Sequence, residues 1–234
     1  MTLHYHGTPI TPRSQLLTLA GRCFCVSYAE PRDVHVCHEI GQSVMLDNGA
    51  FTAWTQGRDV NWIDFLDWCE PWLDFPTTWA VVPDVIDGDE DINDGLCRTI
   101  LGAGVGRDCQ WAPVWHMHES LDRLADLAAT SQRVCFGSSG AFAQVGSDGW
   151  RRRCDQAFDL LTRDGPVPWV HMLRGMALSG SEYPFASVDS TDVARNHSQR
   201  GSTAASQAAR WDAIQCPARW VPKGEQLTIE ETAA

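Results

Sequence analysis

Two hydrophobic patterns alternate along the chain. Short apolar runs predict strands at 24–28, 43–47, 78–82, 111–116, 134–137, 169–173 and 185–189. Between them, apolar residues spaced by three or four positions predict helices at 14–20, 61–73, 90–101, 120–129, 150–161 and 202–214. Ser120, and either Ser147 or Asp148, are suited to be N-caps. Strands that alternate with helices of this length indicate β/α units and a parallel sheet.

Seven or eight such units favour a closed (β/α)8 barrel of the TIM type. The chain has 234 residues, and the fold typically needs about 250. We therefore expect a compact barrel or one with a degenerate unit. A doubly wound open sheet is the alternative, but no glycine-rich nucleotide fingerprint follows the first predicted strand. We expect one catalytic barrel domain over residues 1–225 and a frayed tail over 226–234.

The charge distribution limits the surfaces that could bind a polyanion. The net charge is −12, so the surface as a whole should repel nucleic acid, and binding would require a local basic patch. Arg58 is the only basic residue within 47–94, whereas arginines gather later, from Arg151 onward. A bound polymer should therefore lie along the later half. The absence of a membrane-span pattern or a signal peptide predicts a soluble, cytoplasmic protein with reduced cysteines.

Three aspartates each close an apolar run: Asp47, Asp84 and Asp189. A carboxylate at the end of a strand lies at the rim of a sheet, which is where barrel enzymes carry out their chemistry. Asp84 is suited to bidentate recognition of an amidine-like edge, such as a purine N1–H with its exocyclic amine. Asp189 could attack an anomeric carbon, as in retaining glycosyl transfer.

Each aspartate could instead be a turn or cap residue. Asx-Gly pairs such as Asn48-Gly49 are common in turns, and a strand-end Asp often caps the next helix. However, Asp84 and Asp189 have competing caps beside them. Asp87 and Asp89 follow Asp84, and Ser190, Thr191 and Asp192 follow Asp189.

Other segments could line a binding site. The loop 136–141 is rich in small residues and could cradle a phosphate or admit a flat base. The segment 171–176 adds an arginine and two methionines suited to packing on a flat ring. Trp54 and Trp115, close to these motifs, could stack on a ligand.

Two clusters raise the question of a metal. His116 and His118 point the same way on a strand, but no third ligand is obvious. Cys23, Cys25, Cys37 and His38 match no common zinc spacing. We expect neither a metal nor a cofactor, and lining of a pocket is the preferred role for the histidine pair.

Taken together and in this order, the motifs resemble the tRNA-guanine transglycosylase superfamily, including the phage enzymes that insert 7-deazaguanines into DNA. The resemblance covers residues 43–191. It rests on Leu46 to Phe51, which is similar to an Asp-Ser-Gly-Gly/Ala-Phe motif with Asn48 in place of Ser, and on Pro83-Asp84, 136–140, 171–175 and 187–191. The resemblance implies a (β/α)8 barrel in which guanine is exchanged for another base.

The resemblance also implies a role for each matched residue. Asp189 would be the nucleophile and Asp47 the general acid/base. The substrate-binding residues would be Asn48, Gly49, Phe51, Asp84, Gly137, Ser138, Ser139, His171, Met172, Arg174 and Gly175. His116 and Met176, which lie outside the matched motifs, are also expected to bind the substrate. We further expect Arg195, Asn196, His197 and Arg200, just after the nucleophile, to contact phosphates.

The chain departs from the tRNA enzymes in two ways. It is shorter, and it lacks their Cys-x-Cys-x-x-Cys and His zinc insertion, because Cys216 is the only cysteine after residue 154. That region contacts tRNA in the family, so the expected partners are a guanine or 7-deazaguanine-like base and DNA rather than tRNA. No membrane partner is expected, and a homodimer is compatible with the sequence.

Three hypotheses follow from these residues. The first is base exchange through a covalent Asp189 intermediate. The second is a nucleoside or other N- or O-glycoside hydrolase that uses the same carboxylates with water as the acceptor. The third is a non-catalytic nucleobase-binding barrel, in which the three aspartates serve as caps.

Overall fold

The computed structural model describes residues 1–163 and 167–222. The expected tail at 226–234 lies outside the described residues. Within them, the strands are β1 Leu3–Gly7, β2 Cys23–Ser27, β3 Ser43–Asp47, β4 Thr78–Val81, β5 Trp111–Ala112, β6 Val114–His116, β7 Arg133–Gly137, β8 Trp169–Met172 and β9 Ser187–Ser190. The α-helices are α1 Arg13–Leu17, α2 Val34–Ile40, α3 Ala50–Thr55, α4 Trp62–Leu73, α5 Glu90–Gly102, α6 Leu121–Thr130, α7 Asp148–Leu161, α8 Asp192–Asn196 and α9 Ala204–Asp212.

The described strands form one parallel sheet that nearly closes into a barrel. Their order is β5-β4-β3-β2-β1-β9-β8-β7-β6. The two end strands, β5 and β6, are consecutive in the chain and are separated only by Pro113. Proline has no N–H to donate to a ladder, whereas its carbonyl accepts a 2.8 Å bond from the Cys135 N–H of β7. The predicted α/β barrel architecture is therefore confirmed at the level of a TIM-like parallel sheet.

Hydrophobic packing occurs both inside and outside this sheet. Tyr5, Met45, Trp79 and Val114, from four strands, pack together in the interior. Apolar residues on the other faces of the strands pack against the helices. Alternate residues of a strand thus serve the two sides of the sheet, as the period of two in a strand requires.

The first strand is the main element that the sequence pattern missed. In β1, Tyr5 points into the interior, whereas His4 and His6 contact Asp212 of α9 on the outside. Burial lowers the pKa of both imidazoles to about 4. Two neutral buried histidines therefore occupy positions that the pattern treats as polar. The short helices α2, α3 and α8 were also not predicted.

The predicted helix starts are confirmed where a cap is present. The Ser120 side chain accepts from the Arg123 N–H at the start of α6, and Ser147 does the same from Trp150 at the start of α7. Asp89 caps α5 by accepting from the Ile92 N–H. Asp84 is therefore not needed as the cap of α5.

Candidate functional site

A cavity of about 560 Å³ opens at the carboxyl ends of the strands. Its wall includes the last residue of seven strands: Gly7, Ser27, Asp47, Val81, His116, Gly137 and Ser190. All strands run in the same direction, so their carboxyl ends meet at one mouth. This is the face on which barrel enzymes place their catalytic groups. Asp47, Asp84 and Asp189 all line this cavity.

Asp47 shares its Oδ2 atom between two donors. The Ser27 hydroxyl donates at 2.7 Å, and the Gly49 backbone N–H donates at 3.2 Å. Burial raises the pKa of Asp47 to about 6; the negative charges of Asp189 and Asp84 add to this rise, and the two hydrogen bonds oppose it. A carboxyl group with a pKa near neutrality can both give and take a proton under ordinary conditions.

Gly49 allows the chain to pass close to the neighbouring loop. Its φ of 76° lies in the left-handed region, and an added Cβ would lie 3.1 Å from the backbone nitrogen of Ala29. A larger residue would meet both backbone strain and steric conflict here. Gly49 therefore shapes the turn between Asp47 and α3.

Asp84 is 7% exposed and is approached at both oxygens. Oδ1 accepts from the Asn48 Nδ2 at 2.7 Å. Oδ2 lies 2.9 Å from His116 Nε2, but the angle departs from hydrogen-bond geometry, and this Nε2 has no hydrogen-bond partner among the described residues. The Asp84 carboxylate is thus held on one side by an amide and is close to an imidazole on the other.

Asp189 is held through one oxygen. Its Oδ1 accepts from the Arg174 backbone N–H at 2.6 Å and lies 3.3 Å from His171 Nε2. One oxygen is therefore anchored, and the other, Oδ2, accepts no hydrogen bond from residues 1–163 and 167–222.

A buried chain of polar groups sets the tautomer of His171. Trp169 Nε1 lies 2.6 Å from Ser187 Oγ, which lies 2.8 Å from His171 Nδ1. An indole can only donate, so Ser187 accepts from Trp169. Because the carboxylate oxygen of Asp189 lies beside Nε2, the ring proton is placed on Nε2, which donates to Asp189, and Nδ1 of the neutral ring accepts from the Ser187 hydroxyl.

Arg174 adopts an unusual backbone conformation beside the nucleophile candidate. Its φ is 56°, a left-handed value that is costly for a residue with a Cβ. Its guanidinium carbon lies 3.7 Å from the centre of the Phe51 ring, a cation–π contact across the cavity mouth. Burial lowers the pKa of Arg174, whereas the charges of Asp189 and Asp47 raise it.

About half of the residues expected at the site lie on the cavity wall. These are Asp47, Asn48, Phe51, Asp84, His116, Gly137, Ser138, Arg174, Asp189 and Arg195. The others that the structure describes are not part of the wall: Gly49, Ser139, His171, Met172, Gly175, Met176, Asn196 and His197. The side chain of Arg200 lies outside the described part of the chain.

The residues away from the wall have identifiable structural contacts. Met172 and Met176 are buried in the hydrophobic core between sheet and helices. Asn196 donates to Asp192, and His197 Nδ1 lies 3.0 Å from the Val193 carbonyl. A methionine after a strand can face either the core or the cavity, and sequence alone does not distinguish the two.

Several wall residues lie outside the segments that the sequence indicated as parts of a site. They are Gly7, Thr8, Cys25, Ser27, Thr52, Thr55, Val81 and Ile86. Gly7 and Thr8 were missed because β1 was not predicted. Ser27 could have been found, because it is a polar residue next to the end of the predicted strand 24–28; the structure ends β2 at Ser27, as it ends β3 at Asp47.

The two clusters considered for metal binding are arranged as follows. His118 Nδ1 lies 2.7 Å from Ser139 Oγ, and its ring stacks on His116 at 5.7 Å between centroids. Cys23 and Cys25 lie in the sheet interior, whereas Cys37 packs on the outer side. Within residues 1–163 and 167–222, no three His, Cys, Asp or Glu side chains are grouped to hold a metal ion.

Comparison with known proteins yields no match: no family model, no curated protein and no solved structure matches the chain. In the described residues, no helix has the length and apolar character needed to cross a membrane.

Proposed function

We propose that this chain is a base-exchange glycosyltransferase that replaces guanine with a 7-deazaguanine-type base in a nucleic acid, with DNA favoured over tRNA. We count Trp111–His116 as one strand interrupted at Pro113, which makes the sheet a (β/α)8-type barrel. The observation that carries the proposal is that three carboxylates line one cavity in three different environments. Different environments allow chemically similar groups to take different roles.

Asp189 would act as the nucleophile. Its Oδ1 is fixed by the Arg174 N–H and by His171, so Oδ2 is free to attack C1′ of the sugar. As the Oδ2–C1′ bond forms, the bond from C1′ to the guanine nitrogen breaks, and its electron pair leaves with the base. The product of this step is a covalent glycosyl-enzyme.

Asp47 would move the proton. With its pKa raised to about 6, a fraction of the carboxyl groups is protonated near neutrality and can protonate the leaving guanine. The resulting carboxylate can then remove the N–H proton of the incoming base. The nitrogen of that base attacks C1′, and the bond to Asp189 breaks, which restores the enzyme.

Asp84 would bind the edge of the base. A carboxylate can accept from two neighbouring donors, such as a purine N1–H and its exocyclic amine. Gly137 and Ser138 at the end of β7 also line the cavity. An added Cβ at Gly137 would lie 3.2 Å from His116 Nδ1, so the glycine keeps this side of the cavity open.

Arg195 supports a phosphate-bearing substrate. It is exposed, lies on the cavity wall, and follows the Asp189 strand on α8. A guanidinium close to the attacked sugar can bind a backbone phosphate. Hydrolysis of a glycoside by the same carboxylates remains the second hypothesis, with water in place of the incoming base.

Intact-mass spectrometry after a denaturing quench tests the proposal. The protein is incubated with guanine-containing DNA, tRNA or nucleosides, each with and without a 7-deazaguanine base. The expected result is an added mass on the protein and base exchange into DNA, both lost in Asp189→Asn and kept in Asp126→Asn, which changes an exposed aspartate of α6. Release of guanine without any added base would favour hydrolysis. If no substrate gives an adduct or releases its base, both the exchange and the hydrolysis hypotheses are overturned.

A further inference from the structure

The amide of Asn48 is fully committed to contacts within the protein. Its Nδ2 donates to the Val82 carbonyl at 2.8 Å and to Asp84 Oδ1 at 2.7 Å. Its Oδ1 accepts from the Ala50 N–H at 2.9 Å. A primary amide has two hydrogens to donate, and both are used here. Asn48 therefore lines the cavity without a donor to offer a ligand.

We propose that Asn48 is a positioning residue that fixes the orientation of the Asp84 carboxylate and thereby sets which base edge the cavity accepts. This inference rests on the proposed function, because it concerns how the base is read. Asn48 acts through Asp84 and makes no hydrogen bond to the base. Its role thus differs from that of a residue that contacts the substrate directly.

The three contacts of Asn48 link separate parts of the cavity rim. Asn48 follows β3, and Val82 and Asp84 follow β4, the neighbouring strand in the sheet. The Ala50 N–H belongs to the first residue of α3. The amide therefore ties the Asp84 side chain both to the end of its own strand and to the start of α3. Rotation of the carboxylate would break the bond to Asn48.

The backbone beside Asp84 is held independently of Asn48. The Val85 N–H donates to Asn93 Oδ1 at 2.8 Å, and Asn93 Nδ2 donates to Glu119 Oε1 at 3.0 Å. Asn93 and Glu119 are both buried. Loss of the Asn48 amide should therefore release the Asp84 side chain while the loop that carries it stays in place.

A fixed carboxylate discriminates between bases by their donors. Guanine offers an N1–H and an exocyclic amine side by side, whereas hypoxanthine lacks the amine and makes one hydrogen bond fewer to the carboxylate. A hydrogen bond to a charged group contributes about 1.5–3 kcal/mol, which corresponds to about 10- to 150-fold in affinity. A carboxylate that can rotate would adapt to hypoxanthine and lose this discrimination.

Equilibrium affinities for guanine and hypoxanthine test the inference. They are measured for the wild type, Asn48→Ala, Asn48→Asp and the control Asn61→Asp, which replaces one good N-cap of α4 with another. We expect the wild type and the control to prefer guanine by at least about 10-fold. In the Asn48 variants the preference should fall to about 1- to 3-fold, mainly through weaker guanine binding. Asn48→Ala introduces no charge and decides the result if Asn48→Asp does not fold.

The outcomes separate this inference from the proposed function. If both Asn48 variants keep the full preference for guanine, the inference is wrong and the proposed function stands. If the two affinities fall equally together with the free energy of unfolding, Asn48 has only a structural role, and the inference is again overturned. If the wild type binds neither base, the proposed function fails and the inference fails with it.

Discussion

Ser27 and Asp47 lie opposite each other at the carboxyl ends of two neighbouring parallel strands, and the Ser27 hydroxyl donates a 2.7 Å hydrogen bond to Asp47 Oδ2. This bond favours the carboxylate form, so it opposes the rise that burial imposes on the pKa of Asp47. The serine thus keeps this group within the range in which it can exchange a proton.

Ser27→Ala should raise the pKa of Asp47 further. The variant loses the hydrogen bond that lowers the pKa, and a shift of about 0.5–1 unit upward is expected for one lost bond. Carbon-13 NMR titration of the Asp47 carboxyl measures the shift directly. Ser43→Ala, at the opposite end of β3, is the matched control. An unchanged or lower pKa in Ser27→Ala would contradict the assignment.

Asp47→Asn should remove a pH-dependent cost from the folded state. The pKa of Asp47 rises from 3.8 to about 6 on folding, so between these values the unfolded chain binds fewer protons and stability falls as pH rises. At about 1.4 kcal/mol per pKa unit, this cost reaches up to about 3 kcal/mol above pH 6. Urea unfolding of both proteins from pH 4 to 8 should show the variant gaining relative stability across this range. A difference that is constant with pH would argue against the shift.

Ser187→Ala should slow formation of the covalent adduct while Asp189 itself is unchanged. Without the hydroxyl, His171 Nδ1 loses its hydrogen-bond partner, so the tautomer and ring orientation that donate to Asp189 are held less firmly. The loss of one hydrogen bond worth about 1 kcal/mol predicts a decrease of about 5-fold in the adduct rate. Rapid-quench mass spectrometry measures this rate. Ser187→Thr keeps a hydroxyl and should retain more of it; equal losses in the two variants would point to a packing effect.

Arg174→Gly should give a more stable protein than Arg174→Ala. Both variants lose the cation–π contact with Phe51, but only glycine adopts a φ of 56° without strain. The expected difference in the free energy of unfolding is about 1 kcal/mol in favour of glycine. Chemical denaturation of the two variants provides the comparison. Equal stabilities would indicate that the left-handed backbone at this residue costs nothing.

Arg123→Met should destabilise the protein strongly. The Arg123 Nη1 lies 2.6 Å from Glu119 Oε2, and both side chains are at least 97% buried. Removal of the guanidinium leaves a buried carboxylate without its cation, which typically costs about 3–5 kcal/mol. Urea unfolding measures the loss. If the cost is real, Arg123→Met combined with Glu119→Gln should recover part of the stability, because the uncompensated charge is gone.

The sequence could predict the strand-end aspartates because the relevant signals are local. An apolar run that ends in a carboxylate indicates both a strand and its exposed end, and competing caps such as Asp89 can be recognised within a few residues. The cap at Asp89 is confirmed. For Asp47, the local pattern did not distinguish a site carboxylate from a turn aspartate. Asp47 is both, because it lines the cavity and its Oδ2 also accepts a hydrogen bond from the Gly49 N–H two residues later.

Local patterns could not predict contacts between distant segments. The bond between Asn48 and Asp84 joins residues 36 positions apart, and it exists because β3 and β4 are neighbours. Similarly, Met172 and Met176 looked suitable for a ligand ring, but they pack in the core. Which side of a strand end faces the cavity depends on the twist and closure of the sheet.

By itself, the sequence determined the alternation of strands and helices, the parallel sheet and the positions of three rim carboxylates, because hydrophobic periodicity and helix caps act over a few residues. The tertiary structure alone decided that β1 completes the sheet, that the sheet nearly closes at Pro113, and that the three carboxylates line one cavity. It also decided the raised pKa of Asp47, since burial and the charges of Asp189 and Asp84 act through space between residues far apart in the chain.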